Sequence, residues 1–287
     1  MTVLLQISDP HFGTEQPPVV EALLQLARQM RPALVVLSGD ITQRARRSQY
    51  EAAREFVSRI GDGEQSPAVL AIPGNHDIPL FNVFGRMFQP YGGFERVFGE
   101  QLEPQWENPE FLVIGVNTTR PARHKDGEVS MQQIERVSQR LQAATPRQVR
   151  VVVTHQPVHV VKGSEIHNRL HGHYEAISEW SRAGADIIMG GHIHLPYIAP
   201  LHDHYGHVSR RCWVVQAGTA VSRRVRRLQS NSVNVIRCSQ PIERPLIECP
   251  PIDCPPIDCV VERWDYSAEC DAFTRALAQP LPLERAP

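Results

Sequence analysis

Lysine is almost missing from this chain. Lys125 and Lys162 are the only two among 30 basic residues, so the other 28 are arginine. Arginine therefore fills positions where any cation would serve, and a cluster of arginines says little about phosphate recognition. The run Arg44, Arg46, Arg47 reads as the solvated first turn of a helix. Arg223, Arg224, Arg226 and Arg227 either line a cleft or solvate a hairpin, and neither cluster joins the candidate site. Net charge is missing too: 30 basic against 31 acidic residues leave −1, so no global field draws in a nucleic-acid polymer or an anionic membrane. No uninterrupted apolar run reaches the roughly eighteen residues of a membrane span. The chain opens on the strand-like TVLLQIS, without the basic region, apolar segment and cleavage site of a secretory leader. A soluble, cytoplasmic protein is expected, and a homo-oligomer is compatible with it. Cysteine is absent before residue 212; the six lie at 212, 238, 249, 254, 259 and 270. Without a leader, disulfides are not expected. The repeat CPPIDCPPIDC from Cys249 to Cys259 spaces its thiols more widely than zinc sites do and stiffens them with proline, so it reads as an extended linker.

Against these absences stand five short polar motifs: Asp9-Pro-His11, Gly39-Asp40, Gly74-Asn75-His76-Asp77, His155, and Gly191-His192-Ile193-His194. Each follows an apolar, β-type run: VLLQIS, ALVVLS, AVLAI, VRVVVT and DIIMG. In an α/β protein the carboxyl ends of parallel strands lie along one edge, where ligands bind, so motifs distant in sequence would meet in space. Together they offer two Asp, one Asn and four His, with His76 left over. Imidazole and carboxylate suit Mn, Fe or Zn better than Ca or Mg. Seven donors exceed one tetrahedral site and fit two ions sharing a carboxylate. A lone Asp or His after a strand is usually a turn former or cap; five in order, each behind a strand, argue for a site. In Gly191-His192-Ile193-His194 the imidazoles sit at i and i+2, so an extended backbone would point both to one side.

Block for block and in order, these residues resemble the D-x-H, G-D, G-N-H-D, H and G-H-x-H pattern of the calcineurin-like metallophosphoesterases. The stretch from Gly39 to Phe94 looks like the bacterial class III cyclic-nucleotide phosphodiesterase group. Protein Ser/Thr phosphatases carry D-R-G shortly after G-D, whereas this chain reads Thr42-Gln43-Arg44-Ala45, which argues against a phosphoprotein phosphatase. The resemblance implies that Asp9, His11 and His194 hold one metal, that Asn75, His155 and His192 hold another, and that Asp40 bridges both. It implies two divalent transition-metal ions, Mn or Fe first and Zn as an alternative, and in-line attack of a metal-bridging hydroxide on a small phosphodiester, with a 3′,5′-cyclic nucleotide as first candidate. His76 either hydrogen-bonds the phosphate or protonates the leaving alkoxide. Asp77 either orients that imidazole or is a turn residue or helix cap. Asn75, His76, Asn168 and His171 are the candidate substrate contacts. A nucleotide-sugar or dinucleotide pyrophosphohydrolase is the alternative, since the same clamp cleaves P–O–P bonds. A non-catalytic scaffold of this fold would be expected to lose ligands, and all seven stand here.

At 287 residues the chain can bury a full core, and one catalytic domain over 1–240 is expected. Residues 241–287 then form a Cys/Pro-rich linker, a late strand from Val260 carrying Trp264 and Tyr266 that is expected to join a second sheet, and a disordered Pro-rich tail after Gln279, packed on the same domain. Strands are expected at 2–8, 33–38, 67–72, 111–116, 150–154 and 185–189, with helices near 18–30, 48–60, 130–143 and 173–182. Between them, 79–100 is rich in Phe and Gly, with Phe81, Phe84, Phe88, Tyr91 and Phe94, and is either core or a lid that stacks on a nucleobase. From about 195 to 237 strands follow without helices, which suggests a second, mostly antiparallel sheet. The resemblance implies the same class: α/β, a two-sheet mixed β-sandwich flanked by helices.

Overall fold

The computed structural model describes residues 2–61, 66–80, 82–208, 210–226, 229–239 and 258–284. Phe81, Arg227 and nearly all of the Cys249 to Cys259 repeat lie outside the described residues. Two six-stranded sheets pack face to face between helices. The first has the order β12-β11-β10-β1-β2-β3. In it β1 (Thr2–Ile7), β2 (Leu34–Ser38) and β3 (Ala68–Ile72) are parallel, while β10 (Ser232–Ser239), β11 (Asp258–Ser267) and β12 (Ala272–Pro282) continue it antiparallel. The second has the order β4-β5-β6-β7-β9-β8. There β5 (Phe111–Gly115), β6 (Val149–Val153), β7 (Ile187–Gly190) and β9 (Trp213–Gln216) are parallel, with β4 (Gln105–Glu107) and β8 (Tyr197–Pro200) as antiparallel edges.

The period-2 alternation of each strand divides its side chains between two apolar layers. Val3, Leu5 and Ile7 of β1 face α1 (Pro17–Met30) and α2 (Arg47–Ile60), whereas Leu4 faces Val113, Val151 and Met189 of the other sheet. On the far side Leu112, Ile114, Val152 and Ile188 meet α5 (Met131–Gln142) and α6 (His173–Arg182). Strands covered on both faces read as continuous apolar runs, which is why their sheet membership is not visible in sequence.

That ambiguity accounts for three differences from the expectations. The second sheet does not begin near 195. It begins at β4 and is mostly parallel, and the late strands divide, β8 and β9 joining it while β10 returns to pair with β1. The strand carrying Trp264 and Tyr266 joins the first sheet, opposite β10, not the second. The tail after Gln279 is not disordered along its described part: β12 runs to Pro282 at the sheet's edge, where proline costs no ladder bond.

Residues 79–100 form α3 (Val83–Phe88) and α4 (Gly92–Phe98). Phe94 is buried in the core, whereas Phe84 and Phe88 are 76% and 72% exposed, so one segment supplies both core and open surface. Arg44, Arg46 and Arg47 lie exposed at the start of α2. The remaining helix, α7 (Leu201–His204), caps the turn between β8 and β9. Among the described residues no helix is long and apolar enough to cross a membrane.

Candidate metal centre

All five motifs leave the carboxyl ends of parallel strands: β1, β2 and β3 in one sheet, β6 and β7 in the other. A buried polar ladder locks these ends together. Gln6 sits where β1 would otherwise place an apolar residue, and its amide donates to Ser38 Oγ and to Gly190 O, both at 3.1 Å. Asn234 donates to its oxygen at 2.9 Å.

Above that ladder the donors gather. Ligand atoms of Asp9, His11 and His194 lie within 4.8 Å of one another, as do those of Asp40, His155 and His192. His194 Nε2 is 3.1 Å from His11 Nε2 and 3.2 Å from Asp9 Oδ1. On the other side His155 Nε2 is 3.2 Å from Asp40 Oδ1 and 3.3 Å from Asn75 Oδ1. Asp40 faces both groups, since its Oδ2 lies 3.8 Å from His11 Nε2.

Four of the seven candidate ligands, Asp9, Asp40, His155 and His194, are aimed by a hydrogen-bond partner behind them, as outer bonds do in metal sites. Ser8 Oγ donates to Asp9 Oδ2 at 2.6 Å, His76 N to Asp40 Oδ1 at 2.8 Å, and His192 N to Asp9 Oδ2 at 3.0 Å. His155 Nδ1 donates to Ser38 O at 2.9 Å and His194 Nδ1 to Arg224 O at 2.6 Å. Carbonyls only accept, so both rings donate from Nδ1 and turn Nε2 inward. Buried His11 Nδ1 and His192 Nδ1 have no partner among the described residues.

The backbone is as unusual as the side chains. Asp9, His11, Asp40, His192 and His194 all have φ between 45° and 69°, a region non-glycine residues seldom occupy and which collects at functional sites. Here the expectation for the two GHIH imidazoles fails. Ile193 N bonds Gly191 O at 2.8 Å, closing a three-residue turn at His192. The chain is not extended, and the rings separate to different donor groups. The glycines permit this crowding: a Cβ on Gly74 would lie 2.0 Å from Asp40 N, and one on Gly191 2.0 Å from Ser8 Oγ.

Electrostatically the centre asks for cations. Burial would raise Asp9, but His194 beside it holds the carboxyl down at about 2. Burial likewise opposes ionisation of Asp40, yet His155 and His76 keep it well below the usual range. Burial lowers His11 to about 3 and His192 to about 4, leaving neutral imidazoles. His155 goes the other way: burial lowers it, but the Asp40 carboxylate raises it to about 9. Protons there stand where metal charge would neutralise the carboxylates. Two carboxylates, an amide oxygen and four imidazoles in two groups fit two transition-metal ions.

Asp77 is placed as a turn clamp. Its carboxylate is 1% exposed and accepts from Thr42 N at 2.7 Å, Thr42 Oγ1 at 2.8 Å, Gly74 N at 2.8 Å and Ile41 N at 3.0 Å. It clamps the loop after Asp40 to the loop before Asn75 and makes no bond to the His76 ring. Burial and the charge of Asp40 raise its pKa to about 6, against those donors. His76 is oriented by Gln43 O, 2.8 Å from its Nδ1. The ring also falls in a group with His11 and Asp40, but its Nε2 lies 3.1 Å from Arg224 Nη1, so both nitrogens are engaged.

Asn168 donates to Glu165 at 2.7 Å; Glu165 accepts from Arg226 at 2.7 Å, and Arg226 donates to Ile193 O at 3.1 Å. Asn168 thus braces the GHIH loop at two removes, and the side chain of His171 is exposed on a neighbouring segment. Sequence reading missed Ser8, Gln43, Glu165, Arg224 and Arg226. The arginines were in view, but their signal drowned in an arginine-rich composition.

Comparison with known sequences bears on this geometry. The sequence profile described as Calcineurin-like phosphoesterase matches residues 2–196, more than half of the chain and all five motifs. The chain belongs to the calcineurin-like phosphoesterase family. This phosphoesterase is 30% identical over 149 residues to a probable cyclic nucleotide phosphodiesterase of a Synechococcus species, a match that covers 48% of the chain and 52% of that relative. It thus spans about half the length of the curated relative it matches. In fold it is similar to the purple acid phosphatase PPD1 of yellow lupin, with TM-score 0.66 and 11% identity over 98% of this chain and 53% of that one. A dimetal phosphatase of Danio rerio matches with TM-score 0.62 and 14% identity over 99% of both chains.

Proposed function

We propose that this phosphoesterase is a dinuclear phosphodiesterase of small phosphodiesters, with 3′,5′-cyclic nucleotides as the first substrate class. The observation that carries the dinuclear part is Asp40, whose two oxygens face His11 and His155 in separate donor groups. The substrate class draws on the Synechococcus relative, and that support extends over 149 aligned residues.

In this reading Asp9, His11 and His194 hold one ion, Asn75, His155 and His192 hold the second, and Asp40 spans both. Manganese or iron suits this imidazole and carboxylate set, with zinc as an alternative. Bound there, the pair supplies a nucleophile at neutral pH and neutralises charge on the phosphoryl group. The protein's part is to keep His11 and His192 unprotonated, to aim His155 and His194 through their Nδ1 protons, and to fix Asp9 and Asp40 with donated hydrogen bonds. His76 stands at the edge of the centre, facing whatever lies over Asp40. We assign the activity to residues 1–240, with the strands of 258–284 completing the first sheet, and to the cytoplasm.

Product analysis tests the substrate class. Manganese-loaded protein given cyclic AMP is expected to release AMP with little adenosine or inorganic phosphate. Inorganic phosphate as the main early product would overturn the diesterase assignment. Rapid cleavage of dinucleotide pyrophosphates beside inert cyclic nucleotides would replace it with pyrophosphohydrolysis.

A further inference from the structure

The loop after β9 is stitched into the centre from both sides. Gln16 N donates to Val221 O at 2.9 Å and Arg223 N to Thr14 O at 3.0 Å, which ties it to the segment following His11. Arg226 holds Ile193 O, between the two GHIH histidines. At its centre Arg224 makes two different contacts. Its backbone oxygen receives the Nδ1 proton of His194, and its guanidinium reaches over to His76. One residue therefore touches a candidate metal ligand and the one candidate catalytic imidazole outside the ligand set.

The donor count on Arg224 is informative. A guanidinium only donates, so His76 Nε2, 3.1 Å from Nη1, must accept. The proton of His76 then resides on Nδ1, consistent with its 2.8 Å bond to the carbonyl of Gln43. Nη1 also lies 3.2 Å from Gln43 Oε1, which takes its second hydrogen. Both Nη1 hydrogens are committed, and the planar fork is held in place by two residues at the site. Its Nε–H and Nη2–H edge is taken by no described residue. That edge presents two parallel donors, the geometry that matches two oxygens of a phosphate. Arg224 is exposed and borders a groove of about 340 Å3 lined also by Gly13, Thr14, Glu15 and Arg223, immediately after His11. The one carboxylate in that lining, Glu15, is already held by Gly13 N.

The geometry points to Arg224 as the phosphate anchor of this site, binding two phosphoryl oxygens of the substrate through its Nε and Nη2 while His76 and Gln43 hold Nη1. The rest of the substrate then lies in the groove beside Gly13 and Thr14. This rests on the phosphoester reading above and adds to it a dedicated cation, which composition alone argued against. It also gives His76 a role other than acid: with its lone pair toward Arg224, it fixes the guanidinium and has no proton to give from Nε2.

The test uses the metal-loaded full chain and inorganic phosphate as probe, with wild type, Arg224→Gln and Arg224→Lys compared by calorimetry and elemental analysis. A pair of hydrogen bonds to a charged group predicts a phosphate Kd raised roughly tenfold to a hundredfold in Arg224→Gln, with metal content unchanged. KM for a diester should rise in parallel, with kcat changing less. Lysine, which lacks the fork, should recover only a minor part. Gln43→Ala, which frees one side of the fork, should shift the phosphate Kd in the same direction by less. Phosphate affinity in Arg224→Gln within about twofold of wild type overturns the proposal, as does loss of metal, which would make the side chain a prop for His194. If wild type bound phosphate yet turned over no phosphodiester, the proposed function would fall while the binding comparison still decided the role of Arg224.

Discussion

Replacing Asp77 by alanine should unfasten the centre without touching a ligand. Four donors converge on this carboxylate: three backbone N–H groups, of Ile41, Thr42 and Gly74, and the Thr42 hydroxyl, at 2.7 to 3.0 Å. The side chain is 1% exposed, so in Asp77→Ala these donors lose their acceptor where water has little access. An unsatisfied buried donor costs about 1–3 kcal/mol. Allowing for relaxation and some water entry, the variant should lose roughly 3–6 kcal/mol, a large share of the 5–15 kcal/mol typical of a domain. Asp40 and Asn75 sit on the two loops the clamp joins, so metal affinity should fall as well. Asp77→Asn keeps the volume and one accepting oxygen but turns an NH2 toward donors, and should fall between. Urea denaturation and elemental analysis read both effects. An Asp77→Ala protein with wild-type midpoint and full metal content but lost turnover would refute the clamp and return Asp77 to a direct role on His76.

Two further outcomes follow from the same geometry. In Gly191→Ala the new Cβ would lie 2.0 Å from Ser8 Oγ and 2.6 Å from Asp9 Oδ2; the variant should lose about 1–3 kcal/mol and bind its first ion more weakly, and unchanged metal retention on dialysis would count against the close approach. Metal uptake should also depend on pH. His155 is raised to about 9 against the ordinary 6.5, so below 9 an incoming ion must displace its proton, and affinity should weaken as pH falls. One competing proton corresponds to roughly tenfold per pH unit. Titrations between pH 6 and 9 with no such slope, and no proton release on binding, would show that His155 is not a ligand.

The seven metal-site candidates were legible because each polar motif ends an apolar strand, and strand ends along a parallel sheet converge by topology. Sheet membership was not legible. Val151 and Val153 of β6 and Leu34 and Val36 of β2 are equally buried between the sheets, and nothing in an apolar run says which side of a sandwich it occupies. Pro280 and Pro282 suggested disorder, yet an edge strand absorbs them. Asp77 looked like a partner for His76 because it is adjacent in sequence. In the 3₁₀ turn Asn75–Asp77 the Asp77 carboxylate instead accepts from Ile41, Thr42 and Gly74, and the partner of His76 is Gln43 O, which only the fold brings beside it. The left-handed backbone at Asp9, His11, Asp40, His192 and His194 carries no sequence signal either. None of these is glycine, and tertiary contacts alone hold them there.

Every other role at the centre depends on Asp40 bridging two ions. Elemental analysis of metal-loaded wild type and Asp40→Asn tests it most directly. At about 4 Å and an effective dielectric of about 20, each unit of opposing charge is worth about 4 kcal/mol, so removing the carboxylate should weaken metal binding on the order of a thousandfold while the fold survives. Two ions per wild-type chain and no more than one in Asp40→Asn are expected. Two ions in both proteins, or a single ion in wild type, would contradict the bridge.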